Sequence, residues 1–241
     1  MPTSPRYDGL ARWYDGYVQS ADVTSVALGS LELLLGHGPG RCLDIGCGTG
    51  IAFPVLAALD WTIVGVDVSG DQLAVAADRA GAVGARLVRA DATQLPFSNG
   101  SFDSVVSVLT HTDFDDPSAV FREAARVLRL GGRFVYVGVH PCFGGPMVER
   151  RTEAPPILHP GYRQSGWWHE GFGDGVRSKV GVNHLPLGDF LSAIVAPGLR
   201  LDQVVEPGPD GDYPTLLALR ASRVSDSAET PARRAGVAEL R

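Results

Sequence analysis

Cysteine is scarce. Cys42, Cys47 and Cys142 form an odd set without CxxC spacing, which argues against a disulfide framework or a zinc site and fits reduced thiols. No run of about 18 apolar residues occurs, and the N-terminal MPTSPRYDGLARWYDGY lacks the apolar centre of a leader, so neither a membrane span nor a signal peptide is expected. Basic charge is short as well. With 21 Lys and Arg against 27 Asp and Glu, the net charge is -6, the wrong sign for a chain whose main partner is a nucleic acid. No histidine pair has HxxxH spacing, so no metal is expected, and no internal repeat is visible. These absences point to a cytoplasmic protein with a small-molecule partner and leave a homodimer open.

What is present reads as one α/β domain. The 241 residues suit a single core better than two, with the domain over 1–221 and a polar, small-residue tail over 222–241 that is expected to fray. Tyr7, Leu10, Ala11 and Tyr14 share a helix face, and a second helix is expected over 23–35, giving a helical cap over 1–36. A core over 37–140 then alternates strand and helix. Strands are expected at 41–45, 62–68, 85–91, 101–109 and 133–140, and helices at about 51–59 and after the N-cap Ser69. A further helix runs from the N-cap Asp116 and Pro117 through the face Phe121, Ala124, Ala125 and Leu128, with Gly131 as its stop. Such alternation implies a parallel sheet covered on both faces. Residues 141–178 read as long loops with one short element, followed by a helix at 187–195 and strands at 200–206 and 215–221.

The densest chemical signal is LDIGCGTG at 43–50, a strand running into a turn that precedes a helix. Gly46 and Gly48 let the backbone pass close under a ligand, as nucleotide-binding turns do. Three details narrow the ligand. Position 51, where a dinucleotide fingerprint would place its third glycine, is Ile. Asp44 would repel a pyrophosphate and favour a cation. Asp67 and Asp91 close the next two strands, where one carboxylate can take ribose hydroxyls and the other an adenine amine. The set describes a pocket for an adenosine with a cationic, amino-acid-like tail and no phosphates.

That pattern resembles the class I S-adenosylmethionine-dependent methyltransferases, in particular the small-molecule branch called type 11. LDIGCGTG, VDVS (66–69), RADATQLPF (89–97), FDSVVS (102–107) and REAARVLRLGGRFV (122–135) occur in the family's order, over about residues 7–140. Leu130 replaces a common proline in the last of these, at a turn away from the cofactor. The resemblance implies a Rossmann-like, seven-stranded, mostly parallel sheet with helices on both faces, an N-terminal helical lead-in and a loop-rich insertion before the last two strands. It implies S-adenosylmethionine as cofactor, with Gly46 and Gly48 along its amino-acid portion, Asp44 near its amino group, Asp67 on the ribose and Val68 on one adenine face. Asp91 and Ala92 would flank the base from the other side, and Leu109 and Thr110 the methionine chain. Tyr7 and Tyr14 resemble the tyrosines that cover the cofactor from the first helix in some relatives; core packing explains them equally well.

The reaction so implied is methyl transfer to a small metabolite, with oxygen the favoured acceptor atom and nitrogen or carbon as alternatives. A general base would assist a hydroxyl acceptor, and histidine titrates in the right range. His111, after the fourth strand, is the first candidate and His140, after the fifth, the second; His159, His169 and His184 lie in the variable region and His37 at the opposite sheet edge. Asp113, Asp115 and Asp116 read as structural rather than as a metal cluster. The region 141–195 should build the acceptor pocket, its Phe143, Tyr162, Trp167, Trp168 and Phe172 forming either an aromatic wall or a small satellite core. Two other readings stay in view: a protein that binds S-adenosylmethionine without transferring its methyl, as a cyclase or regulator, and a nicotinamide-dependent oxidoreductase, which Asp44 and Ile51 disfavour.

Overall fold

The computed structural model describes residues 5–151, 154–169, 175–208 and 213–225. Two helices lead in, α1 (Ala11–Ser20) and α2 (Asp22–Leu35). The core then runs β1 (Arg41–Ile45), α3 (Phe53–Ala58), β2 (Thr62–Asp67), α4 (Gly70–Val83), β3 (Arg86–Arg89), β4 (Phe102–Val108), α5 (Pro117–Val127) and β5 (Leu128–Val139). An insertion carries short strands β6 (Val148–Glu149), β7 (Ile157–Leu158) and β8 (Gly166–Trp168), then α6 (Val176–Val180) and β9 (Val182–His184). The chain closes with α7 (Leu187–Val195), β10 (Leu199–Val205) and β11 (Leu216–Arg223).

Seven strands form one sheet in the order β10-β11-β5-β4-β1-β2-β3. β11 runs antiparallel to both of its neighbours and the other pairings are parallel. The strands alternate apolar residues to two faces. Leu43, Ile45, Val64, Val66, Phe134 and Tyr136 pack with α5 and α7, while Cys42, Ile63, Val135 and Val137 pack with α2, α3 and α4. After β3 the chain returns to the far side of β1, so the order reverses between β1 and β4, and a crevice opens at their carboxyl ends.

Several local expectations change. Tyr7 and Leu10 precede α1 in a turn, so only Ala11 and Tyr14 of the proposed face are helical. Ser69 does cap α4, its oxygen accepting from the Gln72 amide at 3.2 Å, and Asp116 caps α5 by accepting from Ala119 at 2.9 Å. The α5 helix does not run to Gly131. It ends at Val127, and Leu128 is already extended (φ -67°, ψ 141°) as the first residue of β5, because burying Leu128 in the sheet core outweighs one more helical residue. Gly131 (φ 73°) instead makes a turn within that strand. The insertion holds more order than one element, with two antiparallel strand pairs, β6-β7 and β8-β9. β11 continues to Arg223, two residues past the expected end of the domain, because its edge still pairs with β10 through Leu199.

Candidate active site

A cavity of about 590 Å³ lies at the carboxyl ends of β1, β2, β3 and β4. The glycine turn makes its floor. The backbone amides of Gly46 and Cys47 both donate to the Val66 carbonyl, at 2.8 and 2.9 Å, which folds the turn over the end of β2. Gly46 has φ 69°, and a Cβ there would stand 2.8 Å from Thr110 Cγ2, so no larger residue fits the turn as built. Asp67 anchors the other side: its carboxylate accepts from the Gly48 amide at 2.9 Å and from the Ser69 amide at 2.8 Å. Burial pushes the Asp67 carboxyl up, and these two amides oppose that shift. One short acidic side chain thus fixes the glycine turn and the start of α4 together while facing the cavity.

Of the ten residues expected at a cofactor, nine line this cavity: Tyr14, Gly46, Gly48, Asp67, Val68, Asp91, Ala92, Leu109 and Thr110. Val68 is an exposed apolar side chain there. Asp91 accepts from both the amide and the hydroxyl of Thr93, at 2.8 and 2.7 Å, so it shapes the turn that presents Ala92. Leu109 has φ 59°, a left-handed backbone unusual for a leucine, and its amide is held by the Val137 carbonyl at 2.7 Å. Such strain persists where the surroundings over-determine it, often at a site. The exception is Asp44, which is 2% exposed and lies behind the lining. Burial, and secondarily Asp67, raises its pKa to about 7. Asp67 in the lining and Asp44 behind it make the floor a region that favours a cation.

Neither histidine lines the cavity. His111 is buried, with Nδ1 2.5 Å from the Tyr136 hydroxyl, and packs on Phe190. Burial, then Arg177 and His184, lowers its pKa to about 3, so it stays neutral at physiological pH. His140 is equally buried. Its Nδ1 accepts from the Cys142 amide at 3.0 Å and its Nε2 lies 2.7 Å from Glu206. Sequence reasoning assigned Asp113 a structural use and passed over its partner Arg177. Asp113 faces the cavity three positions beyond Thr110, in the run TDFDD, where aspartates are easily read as solvent-facing or capping. Its Oδ1 accepts from Arg177 at 2.7 Å and from the Tyr7 hydroxyl at 3.2 Å. Burial raises the Asp113 carboxyl against the lowering by Arg177. Among the described residues no group of three or more His, Cys, Asp or Glu is placed to hold a metal ion.

A strap of residues 5–9 crosses the mouth between two rims. On one rim Arg6 bonds Asp115 at 2.6 Å and lies 3.6 Å over the Trp167 ring, whose indole N–H donates to the same Asp115 oxygen at 2.8 Å. On the other rim the Gly9 amide donates to Asp71 at 2.7 Å and Ser69 to Asp8 at 2.6 Å. Tyr7 of this strap meets Tyr14 of α1 edge to face, with ring centroids 4.9 Å apart, and both line the cavity. The aromatics of the insertion do not. Trp167 serves the latch, the Tyr162 hydroxyl takes the Leu187 amide at 2.9 Å, Trp168 reaches the Gln164 carbonyl, and Phe143 packs on His140. These four rings are half-buried and held mainly by polar contacts, which decides for neither the aromatic wall nor the satellite core; Phe172 lies outside the described residues.

The lining suits an adenosine with a cationic tail. It offers a carboxylate at the end of β2 for a diol, the apolar side chains of Val68 and Ala92, an acidic group behind the glycine turn, and a buried Gln72 side-chain oxygen without a partner. Residues 43–136 match the family described as a methyltransferase domain, type 11. The chain is 34% identical over 126 residues to O-methyltransferase cnsE of Penicillium expansum, covering 48% of this chain and 46% of that protein. It is 40% identical over 116 residues to 27-O-demethylrifamycin SV methyltransferase of Amycolatopsis mediterranei, covering 46% and 42%. The chain therefore spans under half the length of either relative. In fold it is similar to an S-adenosylmethionine-dependent methyltransferase from Mesorhizobium loti, with a TM-score of 0.70 at 24% identity over 86% of this chain and all of that one. With its motifs in order on this sheet, the segment from β1 to β5 is similar to the type 11 methyltransferase domain, and the whole chain shares the fold of S-adenosylmethionine-dependent methyltransferases.

Proposed function

We propose that the chain transfers a methyl group from S-adenosylmethionine to a small organic acceptor, with oxygen the favoured acceptor atom. The observation that carries this reading is the cavity itself, lined by the glycine turn, Asp67, Val68, Ala92, Tyr7 and Tyr14 over an acidic floor. Two relatives whose names specify O-methyl transfer support the choice of oxygen. S-adenosylmethionine bound there would supply an electrophilic methyl carbon on a good leaving group. The chain's own task is then alignment and the exclusion of water, which the strap serves by closing the mouth.

For a hydroxyl acceptor the proton needs a destination, and Asp113 provides one in the lining. Its Oδ1 is occupied by Arg177 and Tyr7, which fixes the carboxylate and leaves Oδ2 to take the acceptor proton as the oxygen attacks. The role foreseen for His111 passes to Asp113 on this reading, because His111 is walled off behind Tyr136 and Phe190. The test is incubation with methyl-labelled S-adenosylmethionine and a metabolite extract. A labelled product is expected, formed at least about tenfold more slowly by Asp113→Asn, on the scale of general-base assistance. Tight cofactor binding without labelled product in any extract would overturn the transfer reading.

A further inference from the structure

Asp113 is held from the insertion. Its partner Arg177 is the second residue of α6, a helix of 5 residues that is too short to stand without packing. Val176 and Val180 are buried and seat it, and Gly181 (φ 76°) ends it by donating its amide to the Arg177 carbonyl at 2.9 Å. Lys179 of the same helix lies 4.9 Å over the Trp13 ring of α1. The chain then passes into β9, where the Asn183 side-chain amide donates to the Phe114 carbonyl at 2.6 Å. The insertion therefore grips the loop after β4 at adjacent residues, by a guanidinium on the Asp113 side chain and by an amide on the Phe114 main chain. Arg177 and Asn183 themselves do not line the cavity, so these contacts act on the loop and not on its contents.

The surroundings of Asp113 show what the guanidinium does. The groups that face it are Arg177 from α6, Tyr7 and Arg6 from the strap, Tyr14 from α1 and Asp67 at the end of β2. His111 of the same turn and His184 of β9 lie behind it, and burial lowers the pKa of both, so neither adds a cation at neutral pH. Burial and the Asp67 charge favour the protonated acid, which cannot serve as a base. Arg177 opposes both at 2.7 Å from Oδ1, with the Tyr7 hydroxyl adding a neutral donor at 3.2 Å. A charged bond of that length also limits rotation of the carboxylate. We infer that Arg177 is a positioning residue for methyl transfer: it holds Asp113 by one oxygen and leaves the other for the acceptor, so the base is complete only when the insertion is docked on the loop after β4. The inference rests on Asp113 as the base. It extends that reading, because the group that readies the base belongs to the segment expected to receive the acceptor.

The test uses the full chain and the rate of labelled product formation from methyl-labelled S-adenosylmethionine and a metabolite extract, followed from about pH 5 to about pH 9. Without the guanidinium the Asp113 carboxyl keeps its proton to higher pH, so the acid limb of the rate profile moves upward. Arg177→Gln, which keeps a donor, and Arg177→Met, which keeps none, are both expected to be about tenfold slower or more at pH 7, with the limb displaced by about one pH unit or more and the rate recovering as pH rises. Arg177→Lys retains the charge and should show a smaller displacement. Binding of S-adenosylhomocysteine by titration calorimetry is expected to change less than about twofold in all three, since Arg177 lies outside the lining. A loss of rate that is equal at every pH and tracks a lower melting temperature marks a purely structural part and overturns the inference. An unchanged rate in Arg177→Gln overturns it as well. If Asp113→Asn is as fast as the original protein, the base reading fails and takes the inference with it, whereas an original protein that forms no labelled product refutes the transfer reading itself.

Discussion

Replacing Asp44 by Asn tests the electrostatics of the cavity floor. Asp44 is buried under the glycine turn beside Asp67, and burial lifts its pKa from 3.8 to about 7. In the unfolded chain the same carboxyl titrates near 4. The folded state therefore holds the proton more tightly, and stability contributed by the protonated form is lost as pH rises from about 4 to about 7 and then levels off. A tenfold difference in proton affinity is worth about 1.4 kcal/mol, so ionising Asp44 costs the fold about 4 kcal/mol in total, of which about 3 kcal/mol falls between pH 5 and pH 8. A neutral amide at this position carries no such penalty. Asp44→Asn is expected to gain stability over the original protein by about 3 kcal/mol more at pH 8 than at pH 5, read from urea unfolding at both pH values. A cation seated on the floor favours the ionised form, so the original protein should bind S-adenosylmethionine more tightly as pH rises through 7, and the variant should lose that slope. A stability difference independent of pH would show that Asp44 titrates normally and refute the argument.

Three other perturbations follow from the same geometry. Asp67→Ala strands the Gly48 and Ser69 amides, at about 1–3 kcal/mol for each buried donor left unpaired, and should lower both the melting temperature and cofactor affinity. Unchanged affinity would place the ribose elsewhere. Gly46→Ala sets a Cβ 2.8 Å from Thr110 in a left-handed backbone that alone costs about 1–2 kcal/mol, a loss measurable by denaturant unfolding. Arg6→Ala removes both its bond to Asp115 and its stacking on Trp167, so S-adenosylhomocysteine should dissociate several-fold faster in a stopped-flow tryptophan fluorescence trace, and an unchanged rate would deny the strap a part in retention.

Most of the core is legible because its signals are local. Strand alternation, the Ser69 and Asp116 caps and the glycine turn each depend on neighbours within a few residues, and all three recur where expected. The end of α5 falls short of Gly131 because Leu128 gains more from the sheet core, formed by residues distant in sequence, than from a longer helix. The cavity wall is harder to read for the same reason. Asp113 acquires its place from Arg177, 64 positions on, and from Tyr7, 106 positions back, and nothing in the run TDFDD announces either partner. His111 follows a strand end that faces the crevice, yet Tyr136 and Phe190 close over it from β5 and α7. The aromatic insertion is not readable from composition: its rings fit a ligand wall or a satellite core, and Trp167 is turned toward a carboxylate and a guanidinium.

Asp115 holds Arg6 of the strap and Trp167 of the insertion through the same oxygen, so the two segments share one bolt. Exchanging that one carboxylate removes a polar contact from both sides of the mouth at once, whereas exchanging Arg6 leaves the bond from the indole to Asp115 in place.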